Sequence, residues 1–232
     1  MSTFRKSLPY ILPLILFAMV VKGLHGAFFE APTEAQMGDV QRIFYFHAPA
    51  GIMAFLAFAV TGVASFLYLW RKSLLYDVVA HASAEVGLVF CTIVLVTGPL
   101  WARPVWGTWW TWEARLTMTL VLWLIYVSYV LVRGYTDDRD QQARFSAVLG
   151  IVGALDIYIV YKSVTWWRGL HPVVLQASGG GGLDPEMRPV FIFCIFVYLM
   201  LYACLMAIRV PIGCAEDELA RLREALARRR RA

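Results

Sequence analysis

Five tryptophans crowd into twelve residues: Trp101, Trp106, Trp109, Trp110 and Trp112 lie within the run GPLWARPVWGTWWTWEARLT, residues 98–117. A membrane-interface belt needs one or two tryptophans per helix end. Five in one loop, beside Pro104 and Gly107, make a flat, apolar, polarisable platform instead. Such a surface suits a large planar ligand. Arg103 and Arg115 flank the cluster, placed to meet carboxylates on that ligand.

The histidines supply the second kind of chemistry. There are four. His47 stands in RIFYFHAPAG and His171 in TWWRGLHPVV, directly after Trp166 and Trp167. Neutral imidazole nitrogen is a good iron ligand, and haem is a planar ligand with two axial positions to fill. Either histidine alone reads as an interfacial polar residue. Together with the tryptophans they have the composition of a haem site. His25 ends the first helix on the same side and is the rival ligand; His81 lies at the opposite face and is expected to have no function. The histidines and cysteines do not cluster at zinc spacing. Cys91, Cys194 and Cys204 fall in apolar spans, Cys214 lies beyond them, and none forms a Cys-x-x-Cys, so all four read as packing residues. The Gly-x-x-x-x-Gly-Lys phosphate loop is missing as well.

These residues need a scaffold, and the composition says which. Of the 232 residues 60% are hydrophobic and 16% charged, against about 25% charged in a soluble domain. The apolar residues come in long blocks, and helices are the economical way to carry such blocks through lipid. Six spans are expected, at Leu8–Leu24, Ala48–Trp70, His81–Leu100, Leu116–Val132, Phe145–Tyr161 and Pro189–Ile208. The fold class is an all-α integral membrane protein. Arg5 and Lys6 ahead of the first apolar run resemble a secretory leader. Lys22 and His25 occupy its cleavage region, however, so an uncleaved helix is expected. With the N-terminus and alternate connections on one side, that side collects 14 basic residues and the other collects 7. By the positive-inside rule both termini are then cytoplasmic. The net charge of +5 is accounted for by topology and does not point to nucleic acid. Residues 1–209 are read as one membrane domain with the tryptophan loop at 101–117, and 210–232 as a charged cytoplasmic tail near lipid headgroups or a partner. The inward connections look plain. Gly179 to Gly182 reads as a hinge in the last outward loop.

The run from Trp106 to Thr117 resembles the tryptophan-rich "WWD" signature of haem-handling proteins in cytochrome c biogenesis. The whole chain is similar to the haem exporter protein C (CcmC) family, including the His-x-Pro at His47–Pro49 and the Trp-Trp-x-x-Leu-His at Trp166–His171. The larger CcmF-like and CcsA-like relatives share the signature but carry more helices or domains. Where the family usually has Asp, this chain has Glu113, whose carboxylate reaches one methylene further. The resemblance implies that His47 and His171 are the axial ligands of a transient haem b. It implies that Trp106, Trp109, Trp110, Trp112, Glu113 and Arg115 cradle the macrocycle. It also implies a bacterial inner-membrane location with the site on the periplasmic side. The implied recipient of haem is the chaperone CcmE, and the implied companions are CcmA, CcmB and CcmD. Two other readings are a haem channel across the membrane and a b-type electron-transfer protein.

Overall fold

The computed structural model describes residues 3–135, 138–167, 169, 171 and 182–231. Six long helices dominate: α1 (Thr3–His25), α2 (Phe44–Arg71), α3 (Leu74–Trp106), α4 (Ala114–Val132), α5 (Arg139–Trp166) and α6 (Arg188–Arg231). Each contains a stretch long and apolar enough to cross a membrane. A π turn (Gly26–Glu30) and a 3-10 turn (Asp39–Ile43) connect α1 to α2. In lipid a backbone amide has no water to bond, so an apolar block closes its own hydrogen bonds as helix. Sharp breaks come where the local chemistry allows them. Lys72, with φ 56, ends α2 in a left-handed cap, and its N–H bonds to Tyr68 O. Asp138 caps α5, its carboxylate accepting from the N–H groups of Asp140 and Gln141.

The short turn at Lys72–Ser73 makes α2 and α3 an antiparallel hairpin, the most extensive helix pair in the bundle. α2 also packs on α5 and α6, α4 packs on α5 and α3, and α1 packs chiefly on α6. Small residues permit the close approaches, as is usual between membrane helices. A Cβ on Gly87 would lie 2.6 Å from the Phe58 ring, and one on Gly62 would lie 2.3 Å from Ala154 Cβ. Phe58 in turn stacks on Tyr126 with ring centroids 3.6 Å apart. Buried hydroxyls close locally: Ser83 Oγ donates to Ala57 O at 2.7 Å and meets Tyr202 Oη at 2.8 Å.

Two expectations change, and α6 adds a detail to the tail. Helix α3 begins at Leu74 and continues through Pro99 and Pro104 to Trp106, so Trp101 and Trp106 are helical and the loop proper is 107–113. A proline removes one helical hydrogen bond, and neighbouring helices compensate for it in a membrane bundle. Helix α6 runs unbroken through Pro211 to Arg231, so no break in the helix separates the span from the tail at 209/210. Finally, the end of the bundle that carries the α2–α3 and α4–α5 connections is not plain. Asp77 pairs with Arg133, Glu85 with Arg209 and His81, and Asp217 with Arg139. The glycine run 179–181 and Arg168 lie outside the described residues.

Candidate functional site

The first histidine is placed by a clamp in the preceding loop. Arg42 donates from Nη1 to Ala27 O at 2.7 Å and to Ala31 O at 3.4 Å, from Nη2 to Thr33 Oγ1 at 3.2 Å, and from Nε to Asp39 Oδ1 at 3.0 Å. One guanidinium thus ties the chain between α1 and α2 to the 3-10 turn that feeds α2. Phe44, buried at the start of α2, packs on Phe191 at 4.6 Å and on Trp101 at 6.2 Å. His47 follows in the first turn of α2.

The His47 ring is held by α3. Its Nδ1 lies 2.9 Å from Thr97 Oγ1, and Thr97 Oγ1 donates to Ile93 O at 2.7 Å. A hydroxyl has one proton. Spent on the Ile93 carbonyl, it leaves Thr97 as the acceptor, so His47 carries its proton on Nδ1 and keeps the lone pair on Nε2. Trp101 contacts the ring edge-on at 5.8 Å, and a Cβ on Gly98 would come within 3.4 Å of His47 Cε1.

The tryptophan loop opens at Gly107, whose φ of 75 closes α3 in a left-handed cap. Arg103 caps the same turn by donating to Gly107 O. Trp112, at φ 55, sits in the left-handed region that a bulky residue rarely adopts. Thr117 Oγ1 donates to Trp112 O at 3.2 Å and helps to hold that conformation. The loop turns aromatic surface outward: Trp109 is 56% and Trp112 70% exposed. Trp110 meets Trp112 edge-on at 5.8 Å. The buried indole N–H groups of Trp101 and Trp110 have no hydrogen-bond partner among the described residues.

His171 lies just beyond α5 against this loop. Its ring contacts Trp106 at 6.2 Å, and its Nδ1 lies 3.6 Å from Glu113 Oε1. The two side chains are 21% and 9% exposed. Gly169 lets the backbone close over Glu113, since a Cβ there would lie 2.5 Å from Glu113 Oε2. Burial pushes the His171 imidazole down to about 3, and the Arg115 guanidinium pushes the same way. His171 is therefore neutral at physiological pH, the form that binds metal.

Sequence-predicted residues thus gather at one end of the bundle. Trp101 touches one histidine, and Trp106, five residues on along α3, touches the other. His25 is separate: it is exposed and bonded to Glu30 at 3.0 Å, which also takes Lys22 at 2.5 Å. No group of three His, Cys, Asp or Glu capable of holding a bare ion occurs among the described residues. Two neutral imidazoles fit the axial positions of a haem whose porphyrin brings the other ligands. A hollow of about 210 Å³, its open mouth included, lies beside Glu113, Arg115, Trp167 and His171.

The model of the "Heme exporter protein C" family matches residues 1–225. The chain belongs to that family. It is 36% identical over 204 residues to Heme exporter protein C of Escherichia coli strain K12, covering 87% of this chain and 82% of that one. The Bradyrhizobium diazoefficiens protein of the same name is 35% identical over 199 residues, 84% of this chain and 75% of the relative. A putative cytochrome c biosynthesis ccmC-like mitochondrial protein of Marchantia polymorpha is 33% identical over 171 residues, 73% and 72% of the two chains. Membership assigns the chain to haem handling. Within that frame the structure adds residues the sequence reading passed over. Thr97 and Gly98 look like ordinary members of an apolar span; the one signal was a polar residue near the end of it, just before Pro99. Trp101 was counted in the cluster but not assigned to a histidine. Arg42 gave no motif at all.

Proposed function

We propose that this chain holds haem at the periplasmic end of its six-helix bundle, with His47 and His171 as axial ligands, and passes it to the chaperone CcmE. The supporting observation is the pair of imidazoles on one end, each against a tryptophan of α3, with the His47 proton committed to Thr97. Bound haem b supplies the iron that the imidazoles ligate. His47 offers Nε2, oriented by Thr97. His171 is kept neutral by burial and packs against Trp106, with the Glu113 carboxylate 3.6 Å from its Nδ1. The outward tryptophans Trp109 and Trp112, with Trp106 and Trp110 beneath, exclude water from one face of the macrocycle. Arg115 stands ready for a propionate. The 14-to-7 division of basic residues puts both termini in the cytoplasm, and the site faces the periplasm of a bacterial inner membrane. There it is open to CcmE, while CcmA, CcmB and CcmD complete the machine. A route for haem through the bundle is not favoured. Of the two intramembrane acids, Glu85 is tied to Arg209 and His81 at the far end, and Asp156 is 6% exposed within the packed core.

The test is the optical spectrum of the purified, haem-loaded chain. A six-coordinate low-spin spectrum is expected. His47→Ala or His171→Ala should shift it to high spin, and added imidazole should restore it in part. His25→Ala and His81→Ala should leave it alone. A spectrum indifferent to both His47→Ala and His171→Ala overturns the ligand assignment. Transfer to CcmE is a separate readout, because a single variant can keep haem on the tryptophans yet fail to deliver it.

A further inference from the structure

The end of the bundle opposite the tryptophans takes no part in the haem site just described. Four helices meet there around a hollow of about 320 Å³ that opens to one side. Its walls include His81 and Ala82 of α3, Arg133 just past α4, Arg139 at the start of α5, and Arg209 and Glu216 of α6. Three guanidiniums from three separate segments therefore face a space lined by one carboxylate.

Each guanidinium is bonded to an acid that does not line the hollow, and Arg209 is bonded as well to Glu216, which does, its Nη1 donating to Glu216 Oε2 at 3.3 Å. Arg133 donates through Nη1 and Nη2 to the two oxygens of Asp77, both at 2.7 Å, with the side chains 9% and 3% exposed. Arg209 donates from Nε to Glu85 Oε2 at 2.6 Å and from Nη2 to Glu85 Oε1 at 3.2 Å. Arg139 pairs with Asp217, itself 7% exposed. Pairs that only stapled the helices would pack closed, because a buried charge beside a void gains nothing for its desolvation. Here Asp77, Glu85 and Asp217 stand behind the cations, and Glu216 alone shares the hollow with them, paired with Arg209. A guanidinium has five N–H donors, and its two bonds to Asp77 leave Arg133 with donors to spare. Planar, preset guanidinium forks match the geometry of an oxyanion. Their level fits as well: Arg133 follows the last apolar residue of α4 and Arg139 opens α5, which is where a lipid headgroup layer begins.

We propose that this hollow is a binding site for an oxyanion head group, a phosphate or a carboxylate, held by Arg133, Arg139 and Arg209. At this depth two molecules carry such a group: a phospholipid of the facing leaflet, and a haem presenting a propionate before it reaches the other end. The hollow takes one head group and leaves the rest of either molecule outside.

The test uses the full chain, purified and stripped of lipid, with two variants. Arg139→Gln removes a cation that is 36% exposed and so is the safest of the three to change. Ala82→Val narrows the hollow and leaves every ion pair intact. Native mass spectrometry after incubation with phosphatidylglycerol reads the lipid source. Titration with iron protoporphyrin and with its dimethyl ester reads the propionate source, in a His47→Ala/His171→Ala background that silences the axial ligands. One retained phosphatidylglycerol per chain, lost about tenfold in either variant, assigns a lipid. Binding of the free acid but not the ester, lost likewise in either variant, assigns a propionate. If Arg139→Gln fails to give a cooperative thermal transition, Ala82→Val alone decides. No stoichiometric binding of either probe, or equal binding by the native chain and by each variant that folds, overturns the proposal.

Discussion

The sharpest test of the outer site leaves both histidines in place and changes Thr97. Thr97→Val is nearly isosteric and deletes only the hydroxyl. The His47 Nδ1–H then loses its acceptor at 2.9 Å, with Trp101 and Gly98 crowding the ring so that it cannot turn freely to find another. Leaving a buried donor unmet costs about 1–3 kcal/mol. The ring escapes that cost by moving the proton to Nε2, which removes the lone pair offered to iron. Either way ligation by His47 weakens. Loss of a hydrogen-bond partner behind a metal-ligating histidine typically lowers affinity about 10–100-fold, which is about 1.4–2.7 kcal/mol. The assay is haem titration of the detergent-solubilised chain, followed by its optical spectrum. Thr97→Val should show that loss and a growing high-spin fraction, and Thr97→Ser should stay within about threefold of the native chain. In a His47→Ala background Thr97→Val should add almost nothing, since the pair forms a closed double-mutant cycle. The haem-free protein gives an independent reading: nitrogen-15 NMR of labelled histidine should show His47 protonated on Nδ1. If Thr97→Val binds haem as tightly as the native chain with an unchanged spectrum, the tautomer argument is wrong even if both histidines are ligands. If the free protein shows Nε2–H, Thr97 is the donor and the argument fails at its first step.

Two further outcomes are expected. In a background without native cysteines, Thr108→Cys should react with a membrane-impermeant thiol reagent added outside intact cells and Ser73→Cys should not; the reverse pattern would invert the topology and part the site from its partner. Trp109, Trp110 and Trp112 replaced together by Ala should reduce haem retention at least tenfold while membrane insertion is unchanged. Each large aromatic offers 150–250 Å² of contact worth about 25 cal/mol per Å² when covered. Undiminished haem content would reduce the loop to an interfacial belt.

The readability of this protein from sequence follows the range of each interaction. The six spans are local properties of apolar blocks, and they appear in the structure with longer ends. The gathering of His47, His171 and the tryptophans at one end follows from alternating the spans, without any knowledge of packing. The apolar block of the third span ends at Leu100, and the helix runs six residues past it to Trp106 because α3 carries Pro104 as well as Pro99. What remained hidden depends on contacts between distant segments. Thr97 meets a residue 50 positions away, Arg133 meets Asp77 across 56 positions, and Arg209 meets Glu85 across 124. No local pattern distinguishes a hydroxyl that orients a ligand from one that merely bonds its own helix, and Thr97 does both.

The departure at Glu113 from the Asp usual in the family can now be given a physical meaning. Glu113 Oε1 reaches to 3.6 Å from His171 Nδ1, while Oε2 occupies the space beside Gly169. Shortening the side chain by one methylene draws the carboxylate back from its 3.6 Å approach to the ring. Glu113→Asp should therefore loosen His171 and lower haem affinity several-fold. It should also empty the space that forbids a side chain at position 169. Gly169→Ala alone puts a Cβ 2.5 Å from Glu113 Oε2. The carboxylate can swing away at little cost in stability, but in doing so it leaves His171. Alanine at 169 should thus cost haem affinity in the native background and cost much less beside Glu113→Asp, where the clash no longer exists. The two substitutions, measured singly and together by haem titration, should be strongly non-additive, with coupling in the 0.5–3 kcal/mol range of touching residues. Additive losses would mean that Gly169 and Glu113 act separately, and that the long carboxylate is not what sets the position of His171.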